Sequence, residues 1–219
     1  MNDLITYVIH YTPLKERKQF QLEQLDKLSL QNNVFIEQYD KENLKVEDLI
    51  KFDKEKVKLS AISLFKKHIY TMELIQKSKY KYNLVLEDDA ILDKEFVSKL
   101  KRGLQQLPND YDMLFLGDGS KFHIPLSQRK PLQFIYKKCR QETFWGGNGA
   151  TRCTDSIIIS EKCATKLCNY YDATKPNKID LPVDWWLNEV IRDLKLEIYW
   201  LEPTIVTQGT QTGKYETSL

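Results

Sequence analysis

Apolar and polar positions along this chain switch repeatedly between a period of two and a period near 3.6. Residues 4–11, LITYVIHY, are dense in β-branched and aromatic side chains and predict a strand. A loop containing Pro13 follows. Phe20, Leu22, Leu25 and Leu28 then fall near helical spacing. NVFIEQY predicts a second short strand, and residues 40–56 mix acids and bases as a short helix and loops. Between residues 57 and 77, Ile62, Phe65, Ile69, Met72 and Ile75 recur at threes and fours, the strongest helical stripe in the chain. KYNLVLEDD predicts a strand, and the segment from Asp93 to 107 a helix with Asp93 as its N-cap. YDMLFLGDG predicts another strand. This order, strands joined mostly by helices, predicts an α/β fold with a mostly parallel central sheet and helices on both faces.

The rhythm breaks between residues 119 and 150, which hold Pro125, Pro131, a short strand candidate QFIYKKC and the glycine-rich FWGGNGA. DSIIIS then predicts a strand, EKCATKLCNYY a helix, VDWWLNEVIRDL a helix and EIYWL a strand. The polar tail TIVTQGTQTGKYETSL predicts irregular structure. No repeat, low-complexity tract or Pro/Ser linker interrupts the chain, so one domain over residues 1–219 is expected.

One stretch does not fit a structural role. In YNLVLEDDAIL, residues 82–92, an apolar strand runs directly into Glu87, Asp88 and Asp89. In open α/β sheets, ligands bind beyond the C-terminal ends of the strands, where this triplet falls. Alternation puts Glu87 and Asp89 on one face and Asp88 on the other. Two carboxylates on one face suit a hard divalent cation, Mn²⁺ or Mg²⁺, which removes their mutual repulsion. The alternative is a solvated acidic turn.

Bulk properties narrow the chemistry. At 219 residues and 42% hydrophobic content, the chain is long enough to bury a core. Lys plus Arg number 33 and Asp plus Glu 31, so a net charge of +2 gives no basis for nucleic-acid or general membrane binding. No run of 18 apolar residues predicts a transmembrane helix, and the N-terminus lacks secretory-signal features. Cys139, Cys153, Cys163 and Cys168 lack zinc-site spacing and are expected as reduced thiols in a cytoplasmic protein.

With the flanking segments, VLEDDAIL resembles the DxD-type motif of glycosyltransferase family 25, which adopts the Rossmann-like GT-A fold and includes lipooligosaccharide sugar transferases and collagen galactosyltransferases. YVIHYTPLKER is similar to that family's first strand and loop, LSAISLFKKHIYTMELI to the helix before the acids, and RCTDSIIISEKCATKL to a strand–helix unit with Ser160 at the strand end. LPVDWWLN resembles its late acidic motif and EPTIVTQGTQ its closing segment. These segments occur in the expected order over most of the chain. A Ser-His pair common in the family is absent: Ser63 is followed by Leu64, and the nearest histidine is His68.

The resemblance implies a metal-dependent inverting transfer of glucose or galactose from a UDP-sugar to a glycan, lipooligosaccharide or protein acceptor. It implies a nucleotide-binding part over about residues 1–118 and an acceptor side over about 119–219. Glu87, Asp88 and Asp89 are the implied cation and ribose group, with Asp89 the foremost metal ligand and Gln208 a candidate to complete the shell. Tyr11, Thr12, Arg17, Lys58 and Asp118 are candidates for donor binding. Asp184 is the candidate base, since inversion needs one carboxylate to take the acceptor proton; its alternative is a helix N-cap. Trp145, Trp185 and Trp186 are candidates for a sugar platform, although adjacent helical residues point about 100° apart, so one of the paired tryptophans is expected in the core. Residues 121–140 carry six basic residues and no acid, either to attract a diphosphate or as a solvated loop. A nucleotidyltransferase would need a glycine in HYTPLKERK, which has none; an inactive glycan- or nucleotide-binding protein is the other alternative.

Overall fold

A computed structural model describes residues 1–138 and 150–216. Trp145, Cys139, Arg140 and the glycine-rich run at 146–149 lie outside the described residues. The elements are β1 (Leu4–Ile9), α1 (Lys15–Lys27), β2 (Asn33–Ile36), α2 (Val46–Leu49), α3 (Leu59–Ile75), β3 (Tyr82–Glu87), β4 (Ala90–Leu92), α4 (Phe96–Gln106), β5 (Met113–Phe115), β6 (Ile135–Lys137), β7 (Ser156–Ile159), α5 (Glu161–Ala173), α6 (Val183–Asp193), β8 (Ile198–Leu201) and β9 (Val206–Gln208). Every strong periodic stripe in the sequence became the expected kind of element. The helix after the acids begins two residues beyond expectation, with Glu95 as its N-cap. Asp93 instead accepts the Glu95 N–H at 2.7 Å.

Seven strands form one sheet in the order β2-β1-β3-β7-β5-β8-β6. Five of them, β2, β1, β3, β5 and β8, share one direction. The expected mostly parallel sheet is present, but β7, at its centre, is reversed against both neighbours, as is β6 at the edge. A crossover helix is what returns a chain to the starting edge of a parallel sheet. Only two short 3₁₀ turns form between β5 and β6, so the chain turns back along the edge it has reached. The sheet interleaves strands from before and after residue 118, so that position does not divide it.

Strand alternation feeds two cores. Tyr7, Ile9, Val85, Phe115, Ile157 and Ile159 point toward α3, α5 and α6. Leu4, Val8, Leu84, Leu86, Leu114 and Ile158 point toward α1 and α4. Burial on both faces explains the near-continuous apolar runs in these strands. Phe65 of α3 centres the first core, its ring 5.0 Å from that of Phe52 and 4.8 Å from that of Trp186. Trp186 is therefore a core residue and not a sugar platform; its neighbour Trp185 is 42% exposed.

Helix α1 departs from its apolar pattern. Leu25 is buried, but Leu22 is 40% exposed, and the rest of the inner face is Arg17, Gln21 and Gln24. These lie four and three residues apart, hence on one stripe. The reason is what the stripe covers: the backbone of residues 88–92, which needs hydrogen-bond partners and not apolar contact. The tail is also more ordered than its composition suggested, since β9 pairs antiparallel with β4, Ala90 opposite Gln208.

Candidate functional site

The parallel strands β1 and β3 end side by side, Ile9 paired with Glu87, and deliver His10, Tyr11 and the acid triplet to one edge of the sheet. Asp88 receives a full set of partners there. His10 Nδ1 lies 2.9 Å from its Oδ2, the Tyr11 N–H donates to the same oxygen at 3.0 Å, and Arg17 Nη1 donates to Oδ1 at 2.9 Å. Burial opposes its ionisation, but these bonds and the Arg17 charge outweigh it and hold the carboxyl below its ordinary range. Expected with the other two acids on a cation, Asp88 is instead engaged by the protein. From α1, Gln21 Nε2 donates to the carbonyls of Asp88 (3.0 Å) and Ala90 (2.8 Å), and Gln24 Oε1 accepts the Leu92 N–H at 3.0 Å. The acidic turn is thus held by a polar helical stripe.

Glu87 and Asp89 have a different environment. Thr154 Oγ1 donates to Glu87 Oε1 at 2.6 Å, and His68 Nε2 stands 3.5 Å from the same oxygen. Thr210 donates to Asp89 Oδ2 through its hydroxyl (2.7 Å) and its N–H (3.2 Å). Asp89 Oδ1 is buried with no hydrogen-bond partner among the described residues, and so is Asp155 Oδ1. Burial, then repulsion from Asp89, pushes Glu87 up to about 8. Burial, then the Glu87 charge, pushes Asp155 up to about 8. Among the described residues no lysine or arginine pairs with Glu87, Asp89 or Asp155, so ionising these acids together is costly.

Asp155 comes from the reversal of β7. That strand enters the sheet from the acidic edge, so the residues before it, Thr154 and Asp155, meet Glu87, whose N–H donates to the Asp155 carbonyl at 2.9 Å. Gly117 is required beside it, because a Cβ there would strike the Asp155 carboxylate. The same reversal sends Ser160 to the far edge, where its Oγ accepts the Cys163 N–H at 3.1 Å and caps α5.

Asp184 opens α6, with its carboxyl facing its own N–H and that of Trp185. Burial raises its pKa above the ordinary value despite those bonds and His68. The dipole that would weaken a base is thus overridden by desolvation. His68 is buried and held neutral, its pKa lowered to about 3 by burial against the pull of Asp184.

A pocket lies against this edge, lined by Tyr11, Arg17, Glu87, Asp88, Asp89 and Gln208 from the expected set. Gln208 Oε1 accepts from Gln211 Nε2 at 2.7 Å. Tyr11 donates its hydroxyl to Glu42 Oε1 at 2.5 Å and is overlain by Lys41. Thr12 and Lys58 are exposed and Asp118 half-buried; none of them lines the pocket, and neither do Asp184 nor Trp185. Lys67 was missed by sequence reading. It is 2% exposed, donates to the His10 carbonyl (2.8 Å) and Asp40 (2.7 Å), and lines the pocket. Its signal was a lysine within the apolar stripe of α3. In the basic stretch, Arg129 pairs with Glu202, Lys137 with Glu197, and Lys138 lies over Trp200, so these charges serve local contacts.

The tail closes over this edge. The Gly209 N–H donates to the Asp89 carbonyl at 2.8 Å. Arg17, besides holding Asp88, lies 4.9 Å from the Tyr215 ring and donates to the Glu216 carbonyl at 2.5 Å. A side chain at Gly209 would collide with Tyr215 and the Asp89 backbone.

Among the described residues, no three His, Cys, Asp or Glu side chains stand ready-arranged around a metal ion. The donor chemistry still fits a hard divalent cation: clustered carboxylates and, among the described residues, two buried oxygens without partners and no paired lysine or arginine. No known family model matches this chain, and no curated protein matches it in sequence. Among the described residues, no helix is long and apolar enough to cross a membrane.

Proposed function

We propose that this protein is a metal-dependent, inverting glycosyltransferase with a GT-A-type fold, moving a hexose from a UDP-sugar to a carbohydrate or glycosylated acceptor. The observation that carries the proposal is the uncompensated carboxylate cluster of Glu87, Asp89 and Asp155 beside a pocket at the C-terminal ends of parallel strands. The ordered resemblance to family 25 supports the same reaction. Glu87 and Asp89, with Gln208 as the nearby amide, would hold Mn²⁺ or Mg²⁺, which when bound neutralises charge developing on a diphosphate leaving group.

The other residues have distinct tasks. Asp88 fixes the register of the acidic turn through His10, Tyr11 and Arg17. Tyr11, Lys41 and the first turn of α3 (Ser60, Ser63) form the wall suited to the nucleotide. Lys67, paired with Asp40, ties the His10 backbone to the wall of the pocket. Asp184, whose basicity is raised by burial, takes the proton from the acceptor hydroxyl, and the exposed Trp185 beside it offers a ring face to the acceptor sugar.

Purified protein offered UDP-, GDP- and CMP-sugars with Mn²⁺ should release nucleotide from a UDP-hexose. Calorimetry should show UDP-sugar binding that requires Mn²⁺ and is lost in Asp89→Asn. Asp184→Asn should bind the donor normally and transfer about 10²–10⁴-fold more slowly. No release from any donor, together with no Mn²⁺-dependent binding, overturns the proposal; loss of donor binding in Asp184→Asn overturns the assignment of the base.

A further inference from the structure

The opposite edge of the sheet carries a second groove. It sits where β1 and β3 begin, Leu4 paired with Tyr82, and where β7 ends, Asn83 opposite Ile159. Its volume is about 790 Å³, within the roughly 300–1,000 Å³ common for ligand sites. None of its lining residues belongs to the acidic pocket, from which the length of β3 separates it by about 17 Å.

Its lining combines two chemistries. Tyr82 and Tyr111 supply aromatic surface, and Lys81, Lys101 and Lys162 supply charge. Lys81 Nζ lies 5.1 Å from the centre of the Tyr82 ring. None of the three lysines forms an ion pair among the described residues. Tyr111 is 8% exposed, and its hydroxyl is buried with no hydrogen-bond partner among the described residues. A buried phenol normally finds a partner, because the loss of water is otherwise unrepaid. Tyr111 is therefore an unfilled donor at the groove, beside three lysines that form no ion pair among the described residues and outnumber the groove's two acids, Asp3 and Glu161.

We propose that this groove is a second ligand site, for an acidic saccharide. The aromatic faces fit the C–H face of a sugar ring, the lysines a carboxylate or phosphate borne by it, and the Tyr111 hydroxyl a sugar oxygen. A nucleic acid fits less well, since Asp3 and Glu161 line the same groove and the chain's net charge is only +2. The site rests on the groove's own residues and is independent of the chemistry assigned to the other edge.

Calorimetric titration with a galacturonate oligosaccharide tests this directly, alongside a neutral malto-oligosaccharide, inorganic phosphate and oligothymidylate. Saturable binding of the acidic saccharide is expected, weakened about tenfold or more by Tyr111→Phe and by the combined Lys81→Ala, Lys101→Ala and Lys162→Ala variant. The lysines are exposed, so the triple variant should keep the parental melting curve. No saturable binding, or unchanged affinity in both variants, overturns the proposal. So does a malto-oligosaccharide or phosphate that binds as tightly as the acidic saccharide, or an oligothymidylate that binds more tightly.

Discussion

Two clusters of buried charge lie on either side of Gly117 and are balanced in opposite ways. On one side, Arg152 and Glu202, 1% and 2% exposed, form an ion pair. Arg152 also donates to the carbonyls of Gly117 (3.2 Å) and Leu201 (3.0 Å) and lies 4.1 Å from the Trp200 ring. Glu202 accepts from the Ile124 N–H and pairs with Arg129, each at 3.1 Å. On the other side, Glu87, Asp89 and Asp155 come together with no lysine or arginine paired to them among the described residues. The first cluster supplies its own counter-charge and is structural. Among the described residues the second lacks one, and in the proposed reading a bound cation would supply it.

The contrast is broken most severely from the balanced side. Arg152→Met removes the buried partner of Glu202, leaving it the more exposed Arg129, and should cost about 3 kcal/mol in urea unfolding. Adding Glu202→Leu should recover most of that loss, because no buried charge is then left alone. Failure of the double variant to recover would show that the pair is not self-contained.

On the acidic side the sign reverses. The folded state pushes Asp155 from 3.8 up to about 8, so it holds a proton that the unfolded chain releases. Stability of the metal-free protein should therefore fall as pH rises from about 4 to about 8 and level off above that. Asp155→Asn should reduce this slope, leaving the share carried by Glu87, and melt above the parent at pH 8. Mn²⁺ should raise the parental melting temperature more at pH 8 than at pH 5, since cation and proton compete for the same oxygens. A flat pH profile of the parent would remove the basis for the contrast. The smallest effect is expected at Lys58, outside both clusters: Lys58→Ala should change stability by no more than about 0.5 kcal/mol and leave donor affinity unchanged.

What could be read from the sequence followed local periodicity. The stripe of α3, the apolar strands and the acid triplet at the end of β3 are patterns within ten or twenty residues, and each was legible. The separation of Asp88 from Glu87 and Asp89 was also expected, although for another reason: β3 ends at Glu87, and Asp88 and Asp89 form the turn before β4. Asp155 was not legible, because its place beside Glu87 depends on the direction of β7, which no side-chain pattern encodes. Nor was the polar inner face of α1, where the apolar spacing of Phe20, Leu22, Leu25 and Leu28 pointed to a different buried side. Arg17, Gln21 and Gln24 became intelligible only once the backbone they hold was in view. Lys58, a donor-binding candidate in the sequence, precedes α3 and faces solvent, while Ser60 and Ser63, two and five residues later, line the pocket.

The contacts that complete the acidic edge also set a schedule. His10, Tyr11 and Arg17 precede Asp88 in the chain, so its partners already exist when it is synthesised. Thr210, which holds Asp89, lies 121 positions beyond it, and at ribosomal speeds of about 5–20 residues per second arrives roughly 6–24 s later. A nascent chain therefore passes through an interval in which one half of the pocket has its partners and the other half does not yet exist. Until residues 206–216 have emerged to pair with β4 and reach Arg17, the ribosome carries a sheet whose acidic edge is open.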